Sequence, residues 1–170
     1  YRRTERFLQR LVPAIQGQAP LHIDWDAHQK LCDQWEQQIA AATQQLAEQG
    51  LSEPTKVKPK QAWLEDMLDP MELLDWPITP AGNLSTAKDT IAAHGGRYPQ
   101  LQALTDFTRV SSLHSNFGPK IQQLAVDGKL YPNYRIAGAA SYRYGCSSPN
   151  CQNMPAEIRH IVVAPEGYQI

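Results

Sequence analysis

Two stretches of this chain repeat apolar side chains at spacings of three and four, and that pattern limits the fold more than any other feature. Leu31, Trp35, Ile39, Ala42 and Leu46 recur in this way after Asp24, which can accept hydrogen bonds from the free N–H groups of a new helix. The spacing predicts a long helix with these residues on one face, ended by Gly50. Its opposite face carries Gln34, Gln37, Gln38, Gln44, Gln45 and Glu48, good helix formers of little charge. A second long pattern runs from Tyr98 through Leu101, Leu104, Phe107, Val110, Leu113 and Phe117, breaks at Gly118-Pro119 and resumes through Ile121, Gln122 and Leu124.

Between these helices, from Leu51 to Gly96, prolines and glycines punctuate short elements. One small helix is expected to begin at Pro59 and run through Trp63, Leu64 and Met67, since proline suits a first helical turn. Another is expected near Ser85 or Thr86, with Asp89 completing a weak capping box. Charge splits here: Lys56, Lys58 and Lys60 form a basic cluster, whereas Glu65, Asp66, Asp69, Glu72 and Asp75 make the next segment acidic. After an Asp127-Gly128 turn the period shifts toward two through Leu130, Tyr131, Tyr134, Ile136, Ala140, Tyr142 and Tyr144, with Gly138 as a bend. Ile158 to Val163 and Tyr168 to Ile170 also read as strand. The outline is α+β: two long antiparallel helices with a small-helix tip, then a short antiparallel β-ribbon and a further strand.

Composition narrows the function classes. The 170 residues are 42% hydrophobic, with 16 basic and 17 acidic side chains and a net charge of −1. That balance lacks the basic excess of a free-standing nucleic-acid binder. No run reaches the roughly 20 apolar residues of a membrane span, and the opening Tyr1-Arg2-Arg3-Thr4 lacks a secretory h-region. Cys32, Cys146 and Cys151 are odd in number and at no zinc-finger spacing, so a reducing compartment is expected rather than a disulfide framework. Without an initiator Met, and stopping in an apolar stretch, the chain is expected to be a fragment of something longer.

The most informative stretch is Asp127 to Pro155. Its second half, Pro149-Asn150-Cys151-Gln152-Asn153-Met154-Pro155, is bracketed by prolines and so is neither helix interior nor central strand. Asn150, Gln152 and Asn153 in such a loop, close after Arg135 and Arg143, supply donors of fixed shape. Donors of that kind suit the minor-groove floor of a duplex, where purine N3 and pyrimidine O2 occupy nearly the same place in every correct pair. They would test pair geometry without reading sequence.

These residues carry a resemblance. Asp127 to Pro155 resembles, without a gap, the segment of family A DNA polymerases that typically reads DGR(I/L)H…TGRLSS…PNLQNIP, and Ile158-Arg159 with Ala164-Pro165-Glu166-Gly167-Tyr168 is similar to the family's lead into the palm. Upstream, Ile23-Asp24, Pro59-Lys60-Gln61, Gly82 to Ser85 and Ser115-Asn116-Phe117 are similar to weaker thumb motifs. The resemblance implies a thumb over residues 24–126, with its tip at about 51–97, a lead-in over 1–23 and the start of the palm over 127–170.

Several roles follow from that resemblance alone. Arg143 would approach the primer terminus from the minor groove, Asn150, Gln152 and Asn153 would touch primer and template beside the new pair, and Lys60, with Lys56 and Lys58, would face phosphates. This chain departs from the family at Tyr142, where a glycine is usual, at Gly145-Cys146 in place of a Ser-Ser pair, and at Lys58 before the tip proline. The parent enzyme would bind primer-template DNA and dNTP and use Mg2+ held by palm carboxylates, the first of which follows the Tyr168-Gln169-Ile170 strand in the family. This polypeptide alone is therefore expected to hold no metal and transfer no nucleotide, and a cytoplasmic bacterial or phage origin is expected.

Other constellations carry less. His22, Asp24, Asp26 and His28 resemble a metal cluster, but Asp24 is better explained as a cap. Cys146 and Cys151 are expected to be packed thiols, and Trp25, Trp35, Trp63 and Trp76 to anchor helix packing. The alternative is a non-catalytic helical module docking another protein through its polar helix faces. It explains the neutral charge but not the amide loop.

Overall fold

The computed structural model describes residues 20–135, 145–165 and 167. The chain divides into two compact units, one of residues 34–113 and one of residues 1–33 with 114–170. The fold is α+β: helices α1 (Trp25–Glu48), α2 (Val57–Met67), α3 (Pro70–Asp75), α4 (Lys88–His94), α5 (Gln100–Phe117) and α6 (Pro119–Gln123), with short antiparallel strands. Among the described residues no helix is long and apolar enough to cross a membrane.

The unit of residues 34–113 is helical. Leu46 of α1, Trp63 and Leu64 of α2, and Leu101, Leu104 and Phe107 of α5 share one buried cluster with Leu51 and Leu84. Gly50, at φ +93°, turns the chain out of α1. The Leu51 N–H then bonds back to the Leu46 carbonyl at 2.8 Å. This is a Schellman closure, and both leucines are buried, as its hydrophobic contact requires.

The predicted small helices shift by a few residues. α2 begins at Val57, so Pro59 lies inside the first turn, where its missing N–H costs nothing. α4 begins at Lys88 with Ala87 at its cap; the Ala87 N–H donates to Ser85 Oγ at 3.3 Å, so no Thr86 capping box is needed. Sequence periodicity missed α3 altogether. Its signal was present as Asp69-Pro70-Met71-Glu72: Asp69 and Glu72 make a reciprocal capping box with Pro70 at the first helical position. Two indoles fasten this region, as buried Trp N–H groups need acceptors. Trp63 Nε1 donates to the Gln49 carbonyl at 2.9 Å and Trp76 Nε1 to that of Ser85 at 3.0 Å.

The other unit contains the start of α1, α6 and the strands. Asp24 Oδ1 accepts from the Ala27 N–H at 2.9 Å, the cap the sequence predicts. Strand β1 (Leu21–Ile23) is central in a three-stranded antiparallel sheet, between β2 (Lys129–Leu130) and β5 (Val162–Val163). Leu21 pairs with Leu130 and Ile23 with Val162. The Asp127-Gly128 turn has positive φ at both residues, 50° and 72°, the combination a tight hairpin of right-handed twist needs. Trp25 Nε1 donates to the Gly128 carbonyl at 2.8 Å. Gly118 separates α5 from α6, and a Cβ there would lie 2.3 Å from the His114 carbonyl oxygen.

Two strand expectations need correction. The alternation from Leu130 onward does not make one strand: it breaks at Tyr131-Pro132, and β3 (Asn133–Arg135) pairs instead with β4 (Gly145–Ser147) in a separate two-stranded sheet. The expected continuation through Gly138, Tyr142 and Tyr144 lies outside the described residues, as does Tyr168–Ile170. The run from Ile158 to Val163 is mostly a 3-10 helix, Ala156–Ile161, with only Val162–Val163 in strand. Three residues per turn place Ile158 and Ile161 on one face, and both are buried.

Leu46→Ala is expected to lower stability by about 2–5 kcal/mol, the range for emptying a buried leucine site. Urea unfolding followed by tryptophan fluorescence checks this; a loss under about 1 kcal/mol would contradict Leu46's central place in that core.

Candidate nucleic-acid interface

The proline-bracketed loop is a short 3-10 turn, Cys151–Asn153, held from below. Pro149 and Met154 are buried and Cys151 is half-buried, whereas Asn150, Gln152 and Asn153 are all exposed. The Cys151 N–H donates to the Pro149 carbonyl at 3.0 Å, and the Cys146 thiol donates to the same oxygen at 3.4 Å. At the far end, Arg159 Nε donates to the Met154 carbonyl at 3.1 Å. The Asn153 N–H closes on the Asn150 carbonyl at 3.2 Å, bringing the two asparagines to neighbouring points of the turn. Apolar side chains thus anchor the loop while three carboxamides face outward.

Beside the loop lies a groove of about 320 Å³ lined by Leu21, Tyr134, Cys151, Gln152, Met154, Arg159 and Val162. Burial, followed by the neighbouring Cys146 thiol, pushes the Cys151 thiol up to about 12. Burial likewise raises the Tyr134 phenol, with Cys146 and Cys151 adding to the shift. Both cysteines are free, and Cys146 is buried, matching the packed thiols expected. Of the four tryptophans, Trp35, Trp63 and Trp76 are buried, while the indole of Trp25 holds the Gly128 turn. Arg143, the fourth member of the predicted minor-groove set, lies outside the described residues.

The three lysines belong to the other unit, where they crowd the start of α2. Lys56 is the N-cap residue, Lys58 stands second and Lys60 fourth. Lys56 makes no side-chain cap and the first turn contains no acid. Cations here oppose the helix dipole, which favours negative charge at an N-terminus, so these lysines do not serve the helix. Lys56 forms an exposed ion pair with Glu53, an interaction of small worth in water. Lys60 is half-buried and lines a cavity of about 30 Å³ with Thr86, Lys88, Ile91, Leu104, Thr105 and Thr108. Sequence reasoning did not single out Lys88; only the packing of α4 brings it there.

The considered metal cluster does not form. Asp24 is a cap, and His28 is buried with Nε2–H donating to the Phe117 carbonyl at 2.9 Å. Among the described residues no three His, Cys, Asp or Glu side chains are grouped to hold a metal ion.

Comparison with known proteins gives a consistent picture. No family model matches the chain. It is 26% identical over 111 residues to DNA polymerase I of Aquifex aeolicus (strain VF5), covering 65% of this chain and 19% of that protein. Its fold matches the POL domain of Pol1 from M. smegmatis, solved in complex with DNA primer-template and dNTP. The TM-score is 0.76 at 24% identity, over 92% of this chain and 29% of the solved one. The resemblance read from the residues thus has beside it a sequence likeness to a DNA polymerase I and a shared fold with a polymerase domain. The chain spans only about a fifth of the length of its curated relative.

With its thiol held protonated, Cys151 is expected to react with iodoacetamide at pH 8 at least about tenfold more slowly than a free cysteine of pKa about 8.5. Mass spectrometry of the labelled chain reads the rate. Labelling as fast as free cysteine would place Cys151 in an exposed, activated setting at odds with the packed turn.

Proposed function

We propose that this chain is the thumb, residues 24–126, and the start of the palm, residues 127–170, of a DNA polymerase of the family A type, and that it grips primer-template duplex. The observation that carries the proposal is the amide turn: Asn150, Gln152 and Asn153 are exposed while the residues between and around them are anchored. Their N–H groups would donate to purine N3 and pyrimidine O2 beside the newest pair. Because those acceptors barely move from one correct pair to another, the contact checks geometry and ignores sequence. Arg143 joins them on the strength of the resemblance, approaching the primer terminus.

Lys56, Lys58 and Lys60 take the phosphate backbone. Glu53 answers Lys56 alone, and with no acid in the first turn Lys58 and Lys60 leave a positive helix start that phosphate oxygens would balance. Lys88 adds to this set from α4. Neither contact reads bases, which suits a protein that must hold any sequence.

The chemistry belongs to the parent. Magnesium, implied by the family, finds no fitting ligand set among the described residues, and no step of the proposed grip runs through a metal. In this reading the parent's nucleotidyl transfer draws on carboxylates elsewhere in a longer enzyme, as the family resemblance implies.

The chain is expected to bind primer-template DNA weakly, with affinity falling steeply as salt rises. Fluorescence anisotropy should show Gln152→Ala weakening binding about fivefold, the worth of one hydrogen bond. Lys58→Ala should lower the salt slope by about one. Binding indifferent to salt and to both substitutions would favour a protein-docking module instead. In a primer-extension assay with magnesium the chain alone should add no nucleotide, and robust extension would overturn the assignment of catalysis to the rest of the parent.

A further inference from the structure

The most exposed large apolar side chains among the described residues are Leu74 at 80%, Met71 at 75% and Ile78 at 67%, and all three cluster on and just after α3. Scattered exposed leucines need no explanation, whereas several together mark a contact surface. Met71 and Leu74 are three apart on α3 and share a face; Asp75, four from Met71, shares it too.

The display is fixed in place. On the inner side of α3, Leu73 packs on the core and Glu72 pairs with Arg97 at 2.8 Å. Trp76 is buried directly after the helix, and the Ser85 N–H closes the following loop on the Pro77 carbonyl at 2.8 Å. Ile78 pairs across that loop with Leu84; Leu84 is buried, whereas Ile78 is exposed. The fold cannot withdraw these side chains by rotating α3.

Arg97 answers Glu72, but the rest of the charge carried by this segment is acidic. Glu65, Asp66, Asp69, Glu72 and Asp75 fall in a stretch with no Lys or Arg between Lys60 and Lys88. α2 ends with Asp66 in its last turn and α3 with Asp75, and neither last turn has a basic residue. Carboxylates at helix C-termini oppose the dipole, so they are not there to stabilise these helices.

We propose that this apolar face of α3, in its acidic frame, docks a basic amphipathic protein segment that presents leucine-like side chains between lysines or arginines. Charge complementarity selects this occupant. The phosphates of nucleic acid and of anionic lipid are repelled by the carboxylates, and a second copy would bring the same acidic face against itself. The residues of this surface are neither those of the amide turn nor the lysines at the start of α2, so it would give the chain a partner besides the DNA proposed above.

The test is a titration of the full chain with a synthetic 18-residue Leu/Lys amphipathic peptide and its Leu/Glu counterpart, read by anisotropy. The Leu/Lys peptide should bind at least about tenfold more tightly than the Leu/Glu one. Binding should drop at least about tenfold in Met71→Ser/Leu74→Ser and severalfold in Asp66→Asn/Asp75→Asn. Both variants change exposed residues and should retain the parent's circular dichroism melt; if one fails to fold, the other carries the test. Absence of peptide binding, or equal binding by every folded variant, would overturn the proposal. So would self-association in sedimentation, or binding to phosphatidylglycerol vesicles, that disappears in Met71→Ser/Leu74→Ser, since the face would then belong to a second copy or to a membrane.

Discussion

Two buried clusters of this structure both depend on one long apolar stripe, that of α1. At 1.5 Å per residue α1 extends about 36 Å, more than a single small cluster covers. Its first turns carry Trp25, Ala27 and Leu31 into a cluster with Ile23, Ile121, Leu130 and Ile161. Its later turns carry Ile39, Ala42 and Leu46 into the helical cluster with Trp63, Leu64, Leu101 and Leu104. Each end of the helix therefore organises a unit of its own. The first cluster includes residues of the three-stranded sheet, and the second includes residues of α2, α3 and α4.

The polar features are held by the packing of their own neighbours. A loop can hold three carboxamides in water only if something else fixes it, and here Pro149, Met154 and the Arg159 bond to the Met154 carbonyl do so. Charge is arranged in the same local way. Lysines crowd the N-terminus of α2, and aspartates close α2 and α3, each set placed against its helix dipole. A net charge of −1 hides this segregation, because neighbouring basic and acidic surfaces cancel in the sum.

Much of this was legible in the residues. The two long helices, the Asp24 cap, the Gly50 stop, the break at Gly118-Pro119 and the Asp127-Gly128 turn each follow from periodicity or local backbone chemistry. So does the irregular backbone between Pro149 and Pro155. What failed was the reading of short elements. A six-residue helix such as α3 is too short to show a period, and its clues were the capping box and Pro70 at the first helical position. Ile158 and Ile161 look strand-like in an apolar run, yet their spacing of three serves a 3-10 turn equally well. The strand Leu21–Ile23 has no signature of its own. It pairs with Leu130 and Val162, residues more than a hundred positions away.

The sequence by itself determined which residues are amphipathic, where helices must start and stop, and which side chains could serve as neutral donors or as cations. These are local properties, set by side-chain spacing, φ preference and the free N–H and C=O groups at helix ends. Only the tertiary structure decided that the carboxamides point outward while Cys151 is packed beneath, and that Lys88 joins Lys60 at one cavity. It likewise decided that Met71, Leu74 and Ile78 remain in water. Exposure is settled by what packs on the other side of an element, and that neighbour is supplied by distant parts of the chain.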